Sequence, residues 1–212
     1  MDKQRSPRLP RSPRLPRSPR LPRSPRLSRS PRLSSYFSTF ELILLTLFSA
    51  LIVVAKIALR FPIQTPGHSG LFWMAIVVVA AGVVPKRGAA GLVGISSGIL
   101  AAFLGMGDFG ALNTFLSYTM VGVVTDLALW LLQNPENLVV AGLVGAMGHM
   151  GKYLVKWMLG AVTGAPLGFV ALGLAWSLVT YLVFGALGGV LGGLTLRALR
   201  KAGFFTYLAE RR

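Results

Sequence analysis

The chain has 212 residues, 53% of them hydrophobic and only 13% charged, which excludes an ordinary soluble domain and indicates an integral membrane protein. It contains no cysteine and only two histidines, which excludes disulfides and cysteine-based metal sites, so we expect neither a metal nor another cofactor. The net charge of +16 is unevenly distributed, because residues 1–34 hold eleven basic residues and one acidic residue.

Residues 1–35 form a basic tail built on the six-residue repeat RSPRLP, which first occurs at Arg5–Pro10. Recurring proline prevents helix formation and the charge prevents collapse, so the tail is predicted to be disordered and extended. Three interpretations remain open for it. The tail could bind anionic lipid head groups, bind nucleic acid non-specifically, or be a translated repeat without a function. Nucleic acid is not the partner that we expect.

Six apolar segments follow, and each is too long and too uninterrupted to be a strand of a soluble protein. The predicted fold is therefore an all-α integral membrane protein with six transmembrane helices in residues 36–201, followed by a tail at 202–212. Ser38 and Glu41 suit the start of the first helix. The second segment is short, and the sixth is long enough to tilt or to emerge from the bilayer. The segments are Phe40–Leu59, Leu71–Val84, Ala89–Met106, Ala111–Leu132, Leu138–Gly160 and Leu167–Leu196.

Basic residues in the connections predict the orientation of the helices, because cytoplasmic loops carry an excess of lysine and arginine. With the amino terminus inside, the inner connections and the inner tail hold seven basic residues and the outer connections hold one, Arg60. Both termini are therefore predicted to be cytoplasmic, in a multi-pass protein of the cell membrane. The inner basic residues are Lys86, Arg87, Arg197, Arg200, Lys201, Arg211 and Arg212.

The fifth segment carries three titratable side chains, His149, Lys152 and Lys156. Their offsets of 0, 3 and 7 residues place them within about 60° of each other on one helical face. An ammonium group at membrane depth costs a few kcal/mol unless it faces protein or a water-filled cavity, so this stripe predicts a binding site. The alternative is that the long aliphatic side chains extend to the membrane surface, so that the ammonium groups lie among the lipid head groups. This alternative suits Lys156 and also Lys56 in the first segment.

Other polar residues are predicted to gather in the same outer half of the bundle. Asn113 and Tyr118 lie in the outer half of the fourth segment, and His68 and Trp73 flank the end of the first outer connection. This connection is either a lid over an outer pocket or a tight turn with Trp73 as an interfacial anchor. Asp126 lies in the inner half, where it either contacts a ligand or pairs with a basic or hydroxyl group of a neighbouring helix.

Glycines recur at spacings of three and four residues in the third, fifth and sixth segments, which favours close helix packing. These rows of glycines allow close packing either between helices of the bundle or against a second membrane subunit. The chain contains no nucleophile, metalloprotease or phosphate-binding signature, so we expect neither catalysis nor ATP hydrolysis by this chain alone.

This layout resembles that of the substrate-binding membrane subunits, or S components, of energy-coupling factor (ECF) transporters. The similarity covers Phe40 to Lys201, and its most specific part is the run Lys86–Gly94, followed by Leu104–Gly107 and the polar fourth helix ending in Asp126. These features are similar to the thiamine-precursor branch of the family. The chain lacks the metal-binding Met-His terminus of the cobalt and nickel members.

The resemblance implies a six-helix subunit that binds a vitamin-like solute and is energised by a separate transmembrane coupling subunit and a pair of ATPases. It also implies that small residues of the first helix contact the coupling subunit; the candidates are Ser49, Ala50, Ala55 and Ala58. Because the stripe is basic, an anionic or carboxylate-bearing ligand suits Lys152 better than a cation does. The predicted substrate-binding residues are His68, Trp73, Asn113, Tyr118, His149, Lys152 and Lys156, with Lys56 and Asp126 as ion-pair or ligand residues.

Two other functions stay open at this point. The chain could be a structural or assembly protein of the membrane whose charges serve helix pairing. It could also be an ion- or proton-conducting subunit that uses Asp126, His149 and Lys152 as a relay.

Overall fold

The computed structural model describes residues 37–58, 67–106, 110–162 and 167–206, with the backbone alone for 167–174. Within these ranges all regular secondary structure is helical. The basic tail at 1–35, the connection that contains Arg60, the turn at 163–166 and the end of the chain from residue 207 lie outside them. The helices are α1 Thr39–Ala58, α2 Gly70–Val83, α3 Ala89–Phe103, α4 Gly110–Leu132, α5 Leu138–Val162 and α6 Leu167–Lys201.

The six helices coincide with the six apolar segments predicted from the sequence, so the all-α fold is confirmed. Four stretches are long and apolar enough to cross a membrane, namely α1, α4, α5 and residues Ala175–Lys201 of α6. This supports the predicted class of integral membrane protein. Helices α2 and α3 have 14 and 15 residues. At 1.5 Å per residue they span about 21 and 22 Å, less than the roughly 30 Å of a hydrocarbon core.

Helix α2 lies at the centre of the bundle. Ten of its fourteen residues are buried, and it contacts all five other helices. A helix that is apolar all round is stable only when protein or lipid surrounds it on every side. Because α2 is enclosed by protein, its length need not match the thickness of a bilayer.

Ion pairs at one end of the bundle show how the helices alternate in direction. Lys86, between α2 and α3, pairs with Glu41 at the start of α1 over 2.6 Å, and Arg200 near the end of α6 pairs with Glu136 between α4 and α5. We call this the Glu41 end. The opposite end, which holds the last turns of α1 and α5 and the start of α2, is the Lys152 end. Helix α1 therefore begins and α6 finishes at the same end of the bundle.

Glycines allow the helices to pack backbone against backbone. A Cβ atom on Gly145 of α5 would lie 2.7 Å from Gly189 Cα and would overlap the Gly185 carbonyl oxygen of α6. Gly94 of α3 and Gly122 of α4 meet in the same way, with 3.0 Å between a Cβ on Gly94 and Gly122 Cα. The described glycine rows thus serve packing within the bundle.

The face of α1 that was predicted to dock a partner is partly inside the bundle. Ser49 is fully buried, and its Oγ lies 2.9 Å from the Leu45 carbonyl oxygen and 3.3 Å from that of Val93 in α3. The Ser49 hydroxyl therefore serves the contact between α1 and α3, and its role in docking a partner stays a prediction. Ala50 and Ala55 are half-buried and Ala58 is exposed, so these three stay as candidates.

The start of α1 is fixed by reciprocal hydrogen bonds between Ser38 and Glu41. The Ser38 amide donates to Glu41 Oε2 at 2.9 Å, and the Glu41 amide donates to Ser38 Oγ at 3.2 Å. This capping box satisfies amides that have no helical partner. The Glu41 side chain is 2% exposed and also accepts the hydrogen bond from Lys86. One carboxylate therefore caps α1 and joins it to the α2–α3 turn.

Replacing Glu41 with glutamine is expected to lower the free energy of unfolding by about 2 kcal/mol, because glutamine keeps the cap but loses the charge that balances Lys86. Replacement with alanine removes both interactions and is expected to cost about 3 kcal/mol. Denaturant titration in mixed micelles measures both values. If the free energies of unfolding of both variants lie within about 0.5 kcal/mol of the wild-type value, the proposed role of the Glu41–Lys86 pair is wrong.

Candidate binding site

Four helices bring aromatic rings together at the Lys152 end. Trp73 comes from α2, Tyr118 from α4, His149 from α5 and Tyr181 from α6, and all four side chains are buried. The ring centroids lie 4.3 Å apart for Trp73 and Tyr118, 6.2 Å for Trp73 and His149, and 4.5 Å for His149 and Tyr181. These separations are those of packed aromatic pairs, and Trp73 meets His149 edge-on while His149 stacks on Tyr181. The four rings form one continuous group, which we call the aromatic stack.

Three lysines lie over this stack. The Nζ atom is 5.3 Å from the Tyr118 ring centroid for Lys56, and 5.8 Å from the Trp73 centroid for Lys152. Lys156 Nζ is 5.8 Å from the Tyr181 centroid. An ammonium group within about 6 Å of an aromatic face is attracted by the negative face of the ring. We call this group of residues the lysine–aromatic cluster; its members are Lys56, Trp73, Tyr118, His149, Lys152, Lys156 and Tyr181.

The cluster contains three basic side chains, and the described acidic residues lie elsewhere. The acidic residues in the described ranges are Glu41, Asp126 and Glu136, and all three lie toward the Glu41 end. Asp108 lies outside the described residues. Three ammonium groups in one cluster favour the binding of an anion.

His149 is held in one orientation by α6 and α2. Its Nδ1 lies 3.0 Å from the Tyr181 carbonyl oxygen. A carbonyl oxygen only accepts, so Nδ1 carries the hydrogen, and in the neutral ring Nε2 is an acceptor. A side chain at Gly70, the first residue of α2, would overlap the imidazole. Glycine at this position therefore lets the ring approach the start of α2.

Several buried polar atoms of the stack and of α4 have no protein partner among the described residues. Within the described part of the chain, no hydrogen-bond partner is present for Trp73 Nε1, Asn113 Oδ1, Ser117 Oγ or His149 Nε2. Each of these side chains is more than nine-tenths buried. A buried polar atom left unpaired costs about 1–3 kcal/mol, so native proteins rarely keep several together without a use for them. These atoms supply one donor, two acceptors and one hydroxyl.

Most of the predicted site residues come together in this cluster. Lys56, Trp73, Tyr118 and the stripe of α5 belong to it. Asn113 lies one turn from Ser117 on the buried side of α4, while His68 lies in the turn before α2, where the adjacent Gly67 packs against Tyr181.

Two residues were missed by sequence reasoning. They are Tyr181 and Tyr153, whose rings lie 6.2 Å apart. A single tyrosine among apolar residues gives little signal, although the pair Thr180-Tyr181 is the most polar point in the middle of α6.

Asp126 contacts a neighbouring helix, as one of its two predicted roles requires, but through the backbone of that helix. Its Oδ1 accepts a hydrogen bond from the Ala90 amide at 3.1 Å, and its Oδ2 accepts one from the Gly91 amide at 2.6 Å. Helix α3 is preceded by Gly88, which has no side chain to cap it, so Asp126 of α4 serves as the cap. Its partners in the described residues are backbone amides, not the basic or hydroxyl group that was expected.

The described residues contain no group of three or more histidine or acidic side chains that could hold a metal ion. No protein-family model matches the chain, and no curated protein or solved structure matches it significantly. The lysine–aromatic cluster is therefore the feature that indicates a function.

Proposed function

We propose that this protein binds a small anionic, vitamin-like solute in the lysine–aromatic cluster and acts as the solute-binding subunit of an ECF-type uptake transporter. The observation that carries the proposal is that three lysines lie over a buried aromatic stack contributed by four helices. If the lysine side chains only extended to the lipid head groups, a buried group of aromatic rings beneath them would not be required. The cluster can pair with an anion through the lysines and with an apolar ring through the aromatic faces.

Uptake requires the cluster to face outward. In the proposed arrangement six helices cross the cell membrane, the Glu41 end is cytoplasmic and the Lys152 end is outside. Energy would come from a transmembrane coupling subunit and a pair of ATPases, as in the transporters whose layout the sequence resembles. The coupling subunit would contact α1 on the side of Ala50, Ala55 and Ala58. Neighbouring genes for these partners would support this part of the proposal.

The alternative of a proton relay has less support. The relay needs Asp126, His149 and Lys152 to be linked, but the Asp126 carboxylate is engaged by the start of α3 and has no contact with the His149 ring among the described residues. A purely structural role has less support as well, since it gives no use to the buried atoms of Trp73 and Asn113 that have no partner among the described residues.

Replacing Lys152 with methionine is expected to weaken solute binding about tenfold or more, because a charge-assisted contact contributes about 1.5–3 kcal/mol. Mass spectrometry of small molecules that co-purify with the protein identifies the solute, and titration calorimetry with that compound gives the affinities. Replacement with arginine keeps the charge and is expected to retain most of the binding.

The matched control is Lys201→Met, an exposed lysine at the Glu41 end. It is expected to bind as wild type does. Unchanged affinity in the Lys152→Met variant, with the bundle still folded, would remove Lys152 from the site. If no anionic compound co-purifies or binds, the proposed function is wrong.

A further inference from the structure

A second candidate site lies at the Glu41 end, away from the lysine–aromatic cluster. A cavity of about 330 Å³ opens there between the α2–α3 turn and the α4–α5 connection. This volume lies at the lower end of the range for small-molecule sites. Its walls include Lys86, Arg87, Trp130, Gln133 and Asn134. The cavity is therefore large enough for a polar head group and is lined with hydrogen-bond donors.

Arg87 gives the cavity its charge. Its guanidinium carbon lies 5.7 Å from the Trp130 ring centroid, and no carboxylate of the described residues pairs with it. The other charged groups of the wall are already engaged. Lys86 pairs with Glu41, and the Asp126 carboxylate accepts amides of α3. Arg87 is thus the basic side chain of the wall that has no acidic partner among the described residues.

The turn that closes the cavity has a strained backbone. Gln133 and Asn134 have φ angles of 51° and 49°, in the left-handed region that residues with a Cβ atom rarely adopt. Asparagine tolerates this region, whereas glutamine in the same conformation is unusual. Strain of this kind tends to persist where it serves a function. Here it places two side-chain amides in the wall of the cavity.

The cavity adjoins an apolar surface of α4. Trp130 is 54% exposed, and the neighbouring Leu127 and Leu131 are 55% and 66% exposed. In a membrane protein such a surface is covered by acyl chains. A molecule with an anionic head and apolar tails would therefore fill the cavity and cover this face at once.

We propose that the cavity binds the phosphate head group of an anionic phospholipid. Arg87 pairs with the phosphate, the amides of Gln133 and Asn134 bind head-group oxygens, and the acyl chains lie along Trp130 and Leu131. Arginine suits phosphate because its planar fork of donors matches two phosphate oxygens. Basic sites between helices at the membrane surface are known to hold anionic head groups. The proposal does not depend on the function of the lysine–aromatic cluster.

Native mass spectrometry of the full chain in detergent tests this site, with phosphatidylglycerol and phosphatidylcholine as probes. Wild type is expected to retain phosphatidylglycerol in preference to phosphatidylcholine, and Arg87→Gln to reduce that preference about fivefold. Lys201→Gln removes an exposed charge at the same end and is expected to leave the preference unchanged. An equal loss in both variants would mean general surface attraction and would overturn the site.

Two further arms complete the test. Gln133→Gly relieves the left-handed strain and removes one amide, so it is expected to lower lipid retention without lowering the melting temperature. If it leaves retention unchanged, the turn has no part in binding and the proposed site is wrong. Inorganic phosphate at millimolar concentration is expected not to displace the lipid; displacement would identify free phosphate as the occupant and overturn the lipid assignment.

Discussion

Replacing Gly145 with alanine is expected to lower the free energy of unfolding by about 3 kcal/mol, the upper end of the cost of overpacking a core. The added methyl group would meet the Gly185 carbonyl oxygen and the Gly189 Cα atom, both of which are backbone. Side chains can rotate away from such a clash, but two helix backbones in contact can only separate. Separation would open the seam between α5 and α6, which also positions His149 against Tyr181.

Gly142→Ala is the matched control, since it makes the same change one turn earlier in the same helix. A Cβ atom at Gly142 lies 3.2 Å from Val190 Cγ2, a side-chain atom that can move. Alanine is also the better helix former by up to about 1 kcal/mol. We therefore expect the free energy of unfolding of the Gly142 variant to lie within about 1 kcal/mol of the wild-type value. Equal stabilities for the two variants would contradict the backbone seam.

Replacing Asp126 with alanine is expected to cost about 3 kcal/mol. The change leaves the amides of Ala90 and Gly91 without an acceptor at the start of α3, and each lost charge-assisted hydrogen bond contributes about 1.5–3 kcal/mol. Gly88, which precedes the helix, offers no substitute. Unfolding in mixed micelles measures the cost, and hydrogen exchange at these two amides is expected to accelerate.

Asp126→Asn provides the intermediate case, because one oxygen remains while the charge is lost. This variant is expected to lose about half as much free energy of unfolding as Asp126→Ala. Leu127→Ala, at an exposed position one residue along α4, is the control for side-chain truncation and is expected to cost less than 1 kcal/mol. An Asp126→Ala variant as stable as this control would show that α3 does not need the cap.

Hydropathy located all six helices but not where each one ends. The third segment was predicted to run to Met106, yet α3 ends at Phe103 because Gly105 adopts a left-handed turn with φ of 64°. The sixth segment was predicted to end at Leu196, whereas α6 continues to Lys201. Its last turn is held by Arg200, which pairs with Glu136, a contact that no apolar pattern can indicate.

The candidate site was predictable where charge interrupts an apolar helix. The spacing of His149, Lys152 and Lys156 placed them on one face, and the structure gathers them at one group of rings. Tyr181 was not predictable, since an isolated tyrosine is common in apolar helices. The role of Asp126 was hidden for another reason: its partners are backbone amides, which leave no mark on the side-chain sequence.

The central position of α2 has a consequence for biogenesis. Among the described helices α2 is the second to be synthesised, and at about 21 Å it is shorter than the hydrocarbon core of a bilayer. Its neighbour α6, whose Gly188 and Gly192 pack on the backbone of Leu71 and Ala75, is made last among the described helices. The native surroundings of the second helix therefore exist only after the sixth has been inserted. Until then, α1 and α3 or the cell's insertion machinery must cover the apolar surface of α2.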